Sequence, residues 1–462
     1  MRFGLLLTSA TLGLLAGVAP VGASELDDLR AQIQALQERL SAMESREQRR
    51  TAPAAAVEAG SKPKSWKLPG TQTSMNIGGF TILQFDYDMD GTSAYAPGNA
   101  PVDGSAAANR QGNVNLDARQ SRFFITTSTP TDLGDLLTNL EIDFNGTGSS
   151  AGKAQYSSGQ GPALRVRKAY GQLGPVLAGQ DTTTFNVPGA GERTDVAQGF
   201  LGSSIFRLGM LRYTQSLGGG TTIDIAVEDQ IGIGEAASVS PGAAISTGNG
   251  APAGPASLAG SALDRTPAFV GRLTHRWSDG EAGASFMVRE VGVDDGGALS
   301  SSTTAYGLNA GGSLALSNRV SIGAQFIWGE GLGIYTGGGY GTSNNRFITV
   351  EGATPDTFGI DTVSTLGGSA FFQWRFTDTM RLNLLYGREQ YGYDLPKSAL
   401  PAPGATIAQS TPDYVQLLYG NVMWEPVPRV NIGLQYMHGF GSLANGPNAR
   451  QSRFELAFRY SF

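Results

Sequence analysis

The feature that most constrains this chain is an apolar–polar alternation of period two that recurs over some sixteen short segments. Ile77, Gly79, Thr81, Leu83, Phe85 and Tyr87 interleave with Gly78, Phe80, Ile82, Gln84, Asp86 and Asp88. Leu140, Ile142 and Phe144 alternate with Glu141, Asp143 and Asn145, and Ile223, Ile225 and Val227 with Asp224, Ala226 and Glu228. Val320 to Trp328 and Val430 to Tyr436 repeat the pattern. Strands are expected near 76–88, 114–128, 135–145, 164–173, 175–184, 207–217, 221–229 and 268–277, then 281–292, 305–316, 320–328, 363–376, 380–388, 413–424, 430–437 and 452–462. A sandwich also alternates, because strand side chains point to opposite faces in turn. The connections separate the two. Long ones (89–113, 146–163, 185–206, 230–267, 293–304, 329–362, 389–412, 438–451) alternate with short ones such as 129–134, 218–220, 278–280, 317–319, 377–379 and 425–428. Loops sorted by end, on an even number of antiparallel strands, describe an all-β, 16-stranded transmembrane barrel with apolar side chains facing lipid.

Composition supports that reading. Gly reaches 65 of 462 residues and charged residues only 16%, against averages of about 7% and about 25%. Glycine serves turns and bent strands, and lipid-facing side chains replace surface charge. With no Cys there are no disulfides, thiolate metal sites or cysteine nucleophiles, and two His, His275 and His438, are too few for a histidine-rich metal site. A net charge of −6 argues against nucleic acid as a partner. No cofactor and no metal is expected. Trp277, Trp374 and Trp424 each lie close to a short turn, as in an interfacial aromatic girdle.

The N-terminal part differs in kind. Residues 1–23 read as a signal peptide: Arg2, an apolar run from Phe3 to Val18, then the small residues Val21-Gly22-Ala23. Residues 24–49 carry Leu26, Leu29, Ile33, Leu36, Leu40 and Met43 at alternating steps of three and four, the seam of a coiled coil. Such a short helix is marginal alone, so it suits an oligomeric bundle in the periplasm; packing on its own barrel is the competing use. Residues 50–74 read as a flexible linker and 75–462 as the barrel.

The chain ends on Arg453-Phe454-Glu455-Leu456-Ala457-Phe458-Arg459-Tyr460-Ser461-Phe462, an alternating segment with a terminal aromatic. It resembles the signal, closing here on Phe462, by which barrel-assembly machinery recognises outer-membrane proteins. Leu140-Glu141-Ile142-Asp143-Phe144-Asn145-Gly146, Leu164-Arg165-Val166-Arg167-Lys168-Ala169-Tyr170-Gly171, Leu177-Ala178-Gly179-Gln180 and Leu211-Arg212-Tyr213-Thr214 together resemble the DcaP-like outer-membrane porins of Gram-negative bacteria. Lys168 departs from the His expected there. The resemblance covers essentially the whole chain after the signal. It implies a trimeric sixteen-stranded porin with a periplasmic coiled coil, resident among outer-membrane lipids and taking up small anionic solutes such as dicarboxylates.

Selectivity in such channels comes from pore width and fixed charge. Strand parity directs Arg165, Arg167, Arg272, Arg276, Arg289, Arg375, Arg381, Arg453 and Arg459 inward, with Asp86, Asp88, Glu141, Asp143, Asp224, Glu228 and Glu455. Nine Arg against seven acids is a small excess, and each Arg could serve a structural ion pair instead. The phases of Arg119, Arg122, Arg207 and Arg212 stay open. The third long loop, 185–206, with Glu192, Arg193 and Asp195, is the expected constriction. Two other functions compete with a passive channel. An enzyme needs a nucleophile–base pair, but His275 is expected to face lipid and His438 to begin an external loop, neither with an evident Ser partner. A structural anchor would link the barrel to the cell wall through its coiled coil.

Overall fold

A computed structural model describes residues 23–51, 57–90, 100–106, 108–109, 112–146, 163–194, 200–229, 237–238, 246–247, 265–294, 300–336, 348–351, 359–394, 407, 410, 412–444 and 446–462. Two compact units emerge, residues 1–58 and 59–462. Of the first, the described part is a 29-residue helix, Ala23–Thr51, slightly longer than the heptads of 24–49. Ile33, Leu36, Leu40 and Met43 lie exposed along it, at 50 to 65%. The side chains of Leu26 and Leu29, and residues 1–22 of the expected signal, lie outside the described residues. No described helix is long and apolar enough to cross a membrane.

The second unit is a closed barrel of sixteen antiparallel strands. They are β1 (Ser74–Asp88), β2 (Asn113–Asp117, continued by Arg122–Thr131), β3 (Gly134–Asp143), β4 (Arg165–Leu173), β5 (Val176–Thr182), β6 (Arg207–Gly218), β7 (Thr221–Glu228) and β8 (Ala268–Trp277). The second half is β9 (Gly280–Asp294), β10 (Ser300–Ala315), β11 (Val320–Glu330), β12 (Ser364–Trp374), β13 (Met380–Gly392), β14 (Pro412–Trp424), β15 (Val430–Leu443) and β16 (Asn448–Ser461). Each strand pairs with its neighbours in sequence, and β1 closes on β16 in a register running from Phe80↔Ser461 to Asp88↔Arg453. Closure leaves no open edge, which a bilayer would not tolerate.

At the long-loop ends, β9, β10, β13, β15 and β16 run beyond the expected bounds. There both faces leave the bilayer, so alternation fades in stretches such as Ser300-Ser301-Ser302-Thr303-Thr304 while the ladder continues (Val291↔Thr303, Val293↔Ser301). The expected strand at 114–128 is interrupted. Ala118 to Ser121 form a turn closed by Ser121 N–H to Ala118 O, and Arg119 within it makes a buried ion pair at 2.8 Å with Asp117, which precedes it.

The sidedness is inverted relative to a soluble protein. Leu83, Ile225, Phe326, Leu434 and Phe454 are 42 to 60% exposed, while their neighbours Gln84, Asp224, Gln325, Gln435 and Glu455 are at most 4% exposed. Burying polar groups beneath an apolar surface is stable only where that surface meets lipid. Trp277, Trp374, Trp424 and Phe462 stand on the outer face close to the short-turn end.

The apolar core sits inside the barrel. Phe185, Leu208, Val270, Met287, Ile327 and Tyr335 form one cluster; Phe200, Leu201, Leu385, Val415, Tyr419 and Met437 form another. Met287, Ile327, Leu385 and Tyr419 are inward positions that alternation alone assigns to a polar lumen. They are apolar because the chain between β5 and β6 rests on them. Each fully buried side chain contributes roughly 2 kcal/mol.

The lumen and its inward loop

The segment linking β5 to β6 is held to the inner wall at both ends by buried carboxylates. At its start Glu228 accepts hydrogen bonds from Thr183 Oγ1 at 2.6 Å and Thr184 N at 2.5 Å, and from the Tyr335 hydroxyl at 3.3 Å. Tyr335 lies on the loop after β11; burial, then the Glu228 charge, push its pKa far up, so it remains a donor. At the other end Glu389 accepts from Gly202 N at 2.8 Å and Tyr391 Oη at 2.6 Å. Between them the loop's carbonyls meet side chains of the wall: Ser285 Oγ and Asn309 Nδ2 donate to Phe185 O, Arg272 to Asn186 O, and Gln325 to Val187 O.

Glycine makes the close approach possible. Gly189 has φ +116°, and a Cβ there would lie 2.3 Å from Ala324 O; Gly202 has φ +68°, and a Cβ there would lie 2.4 Å from the Gly368 carbonyl carbon. Both need the left-handed region and the absence of a side chain. Midway, Glu192 takes two hydrogen bonds from Arg381, Thr194 Oγ1 donates to Glu455 at 3.2 Å, and the Arg193 guanidinium lies 5.3 Å over Phe200 and 5.7 Å over Tyr419. Asp195 lies outside the described residues.

The opposite part of the lumen, on β1 to β6 and β16, meets the loop at Leu208, Met210 and Glu455 and is basic among the described residues. A bulge sets it up. Opposite Ile142 and Glu141 on β3, β4 offers Val166 and then Lys168, so Arg167 is the extra residue. Bulges re-aim side chains, and here Arg165, Arg167 and Lys168 all face the interior. Arg165 makes a two-pronged bond to Asp143 at 2.9 and 2.6 Å. Arg167 reaches Glu141 at 2.7 Å and Asp143 at 2.8 Å. Asp181 on β5 bridges Lys168 at 2.8 Å and Arg212 at 3.0 Å.

Arg122 pairs with Glu141 at 3.4 Å, and its guanidinium and that of Arg459 both lie against the Phe80 ring, at 5.2 and 5.7 Å. Arg207 lies within Coulombic range of Arg122, Arg165 and Arg167. Linked in this way are seven cations and three carboxylates (Glu141, Asp143, Asp181), an excess of four. Asp143 and Asp181 are deeper than their partners, Asp143 0% exposed against 28% for Arg165 and Asp181 9% against 28% for Lys168, whereas Glu141 at 15% is less deep than Arg167 at 9%. Among buried side-chain atoms, Nε of Arg122, Arg212 and Arg459 has no hydrogen-bond acceptor in the described chain.

The remaining nominated arginines divide by exposure. Arg272 pairs with Asp224 at 2.8 Å, and Arg276 with Glu281 at 3.1 Å near the short-turn end, 61% exposed. Arg375 is exposed just beyond β12. Arg289 and Arg453 keep the inward phase that parity gives, but at 2% and 1% exposure they are sealed from water. Arg289 donates to Gly331 O at 2.7 Å beneath Tyr335; Arg453 is clamped by Asp88 at 2.6 Å and Asp86 at 3.8 Å. Sequence parity missed Arg122, Lys168, Arg207 and Arg212. A signal for the bulge was present, since the outward apolar phase moves from even (Leu164, Val166) to odd (Ala169, Leu173) across it.

Neither His is placed for catalysis. His275 is bonded to Thr221 Oγ1 at 2.8 Å and stacked on Trp277. His438 does not begin a loop: β15 continues to Leu443, and the ring meets Ser452 Oγ across the ladder at 3.0 Å on the outward face. The Ser partner that the sequence did not reveal thus exists, but no described carboxylate orients either ring.

The barrel is similar to the outer membrane channel DcaP of Acinetobacter baumannii, with a TM-score of 0.65 at 18% identity over 87% of this chain and 100% of that one. OmpT of Vibrio cholerae (TM-score 0.48, 10% identity, 84% and 98% of the two chains) and an anion-selective porin from Comamonas acidovorans (0.47, 13%, 84% and 100%) are more distant. No protein of curated function matches the chain in sequence. The sequence profile of the porin subfamily matches residues 66–434, most of the chain. With a DcaP-like closed barrel and that match, the chain belongs to the porin subfamily of bacterial outer-membrane channels, which are passive pores and not enzymes.

Proposed function

We propose that this porin passes small hydrophilic solutes between its inward loop and its basic wall, and favours anions, dicarboxylates above all. The observation that carries the reading is the linkage of seven cations to only three carboxylates on this wall, with Arg165 and Lys168 28% exposed beside acids at 0% and 9%. Guanidinium groups bind carboxylates at fixed geometry, and two carboxylates on one solute can bridge two of these groups. Arg165 and Arg167 belong to this track, and Glu192, Arg193 and Asp195 to the loop that narrows it. Arg289 and Arg453, being sealed, support the wall rather than line the path.

The same reading makes the chain a homotrimer, inserted by the barrel-assembly machinery through its C-terminal strand and gathered in the periplasm by the helix of residues 24–49. The exposed stripe of Ile33, Leu36, Leu40 and Met43 supports a coiled coil. Planar-bilayer recording tests the channel. Replacing Arg165 and Arg167 together by Gln is expected to move the reversal potential in a salt gradient toward that of a non-selective pore, and dicarboxylates are expected to block the unaltered channel. Unchanged anion preference removes both residues from the track; absence of single-channel conductance would leave the anchoring role.

A further inference from the structure

The outer face of the barrel holds Arg388, a cation that the channel does not use. On β13, Leu384 and Tyr386 are 47% and 44% exposed and point to lipid; the ladder keeps that phase through Arg388, which pairs with Gly368 on β12 and Gln416 on β14. Arg388 therefore projects outward, near the long-loop end. A charge on the lipid face is costly at mid-membrane and tolerated at the interface, which is where the outward residues turn polar (Gln390, Gln416). Its guanidinium lies 4.2 Å over the Tyr414 ring, and it makes no ion pair among the described residues. Arg450, another outward Arg at this end, is paired with Asp103 at 3.7 Å.

Two neighbours complete the place. Tyr386 Oη donates to Gln416 Oε1 at 3.0 Å, which leaves the Gln416 amide nitrogen to donate elsewhere. Because Gly368 has no side chain, a groove of about 280 Å³ opens beside Arg388, floored by Gly368 and Ala370 and walled by Leu366 and Tyr386. An anion-binding head on an apolar furrow matches an acylated lipid with a phosphate at the interface. We infer that Arg388, Tyr414 and Gln416 bind the phosphate of a phosphorylated, acylated glycolipid of the outer leaflet, with one acyl chain in the Leu366–Gly368–Ala370 groove. Arg388 supplies the charge, Tyr414 fixes its plane by a cation–π contact, and Gln416 adds a neutral donor.

The test uses full-length porin purified from outer membranes, delipidated, and titrated with phosphorylated or enzymatically dephosphorylated glycolipid under native mass spectrometry. Heat-modifiable migration confirms that each variant is folded. Arg388→Glu is expected to weaken binding of the phosphorylated lipid about ten-fold, Arg388→Lys by less, and Arg450→Glu not at all. Equal binding of the two lipids by the unaltered protein, or undiminished binding by folded Arg388→Glu, overturns the inference. So does displacement of the lipid by millimolar inorganic phosphate, which identifies a free-ion site. Cross-linking of Arg388→Cys to a second copy overturns it too, since the face is then a subunit interface.

Discussion

The two sides of the lumen use charge in opposite ways. On β8 to β15 the inward polar groups are spent on the chain between β5 and β6: Arg272 and Gln325 meet its carbonyls, Arg381 holds Glu192, and Glu389 takes the Gly202 amide. On β2 to β6 the cations share three carboxylates, and Arg165 and Lys168 stay 28% exposed beside acids at 0% and 9%. A charge engaged on all sides holds structure, whereas one engaged on a single side can still attract a passing ion. Counting inward residues treats both alike, which is why nine Arg against seven acids gave so small an excess. The contrast lies in depth and partners, not in number.

The comparison can be broken from the covered side first. Gly202→Val forces a Cβ onto the Gly368 backbone at a left-handed φ, at a cost of roughly 3 kcal/mol or more. The loop is expected to leave the wall, with single-channel conductance changing several-fold while the barrel stays heat-modifiable; unchanged conductance means that the loop does not narrow the pore. Next, Glu389→Leu leaves the Gly202 amide and Tyr391 hydroxyl without their acceptor, about 1–3 kcal/mol for each group so stranded. Noisier currents and a lower unfolding midpoint are expected, with Glu389→Gln milder because it keeps an oxygen acceptor.

The basic side is expected to respond in selectivity rather than stability. Arg122→Gln with Arg212→Gln is expected to lower the anion-to-cation permeability ratio roughly five-fold per charge, from about 1 kcal/mol of Coulomb energy at close range in water, with little change in melting. Equal losses on mutating Arg289, a sealed Arg of the covered side, would erase the distinction. The smallest effect is that of salt: preference measured at 1 M, where screening acts over about 3 Å, should be weaker than at 0.1 M, where it acts over about 10 Å.

Much of this architecture can be read from the chain because a barrel wall has two different solvents. Val320 to Trp328 announces its strand, its outward face and its turn together. What escaped reading arises where a third partner intrudes. Met287, Ile327, Leu385 and Tyr419 face inward yet are apolar because a loop covers them, and alternation alone has no term for that loop. Lys168 changed sides through one extra residue in β4. Arg122 follows a turn inside β2 that interrupts the parity used to place its neighbours. His438 looked like the start of a loop because Gly439 and Gly441 follow it, although they stay in the ladder.

The clamp at Arg453 has a consequence for how this cylinder is finished. Asp86 and Asp88 belong to the first strand, while the guanidinium that neutralises them lies on the last, 365 residues away from Asp88 in the chain. Until that final hairpin arrives, two carboxylates face a forming interior without their counter-charge, a state that costs several kcal/mol. Their neutralisation coincides with the ring becoming complete, so electrostatics rewards the fully assembled wall over any partly threaded one.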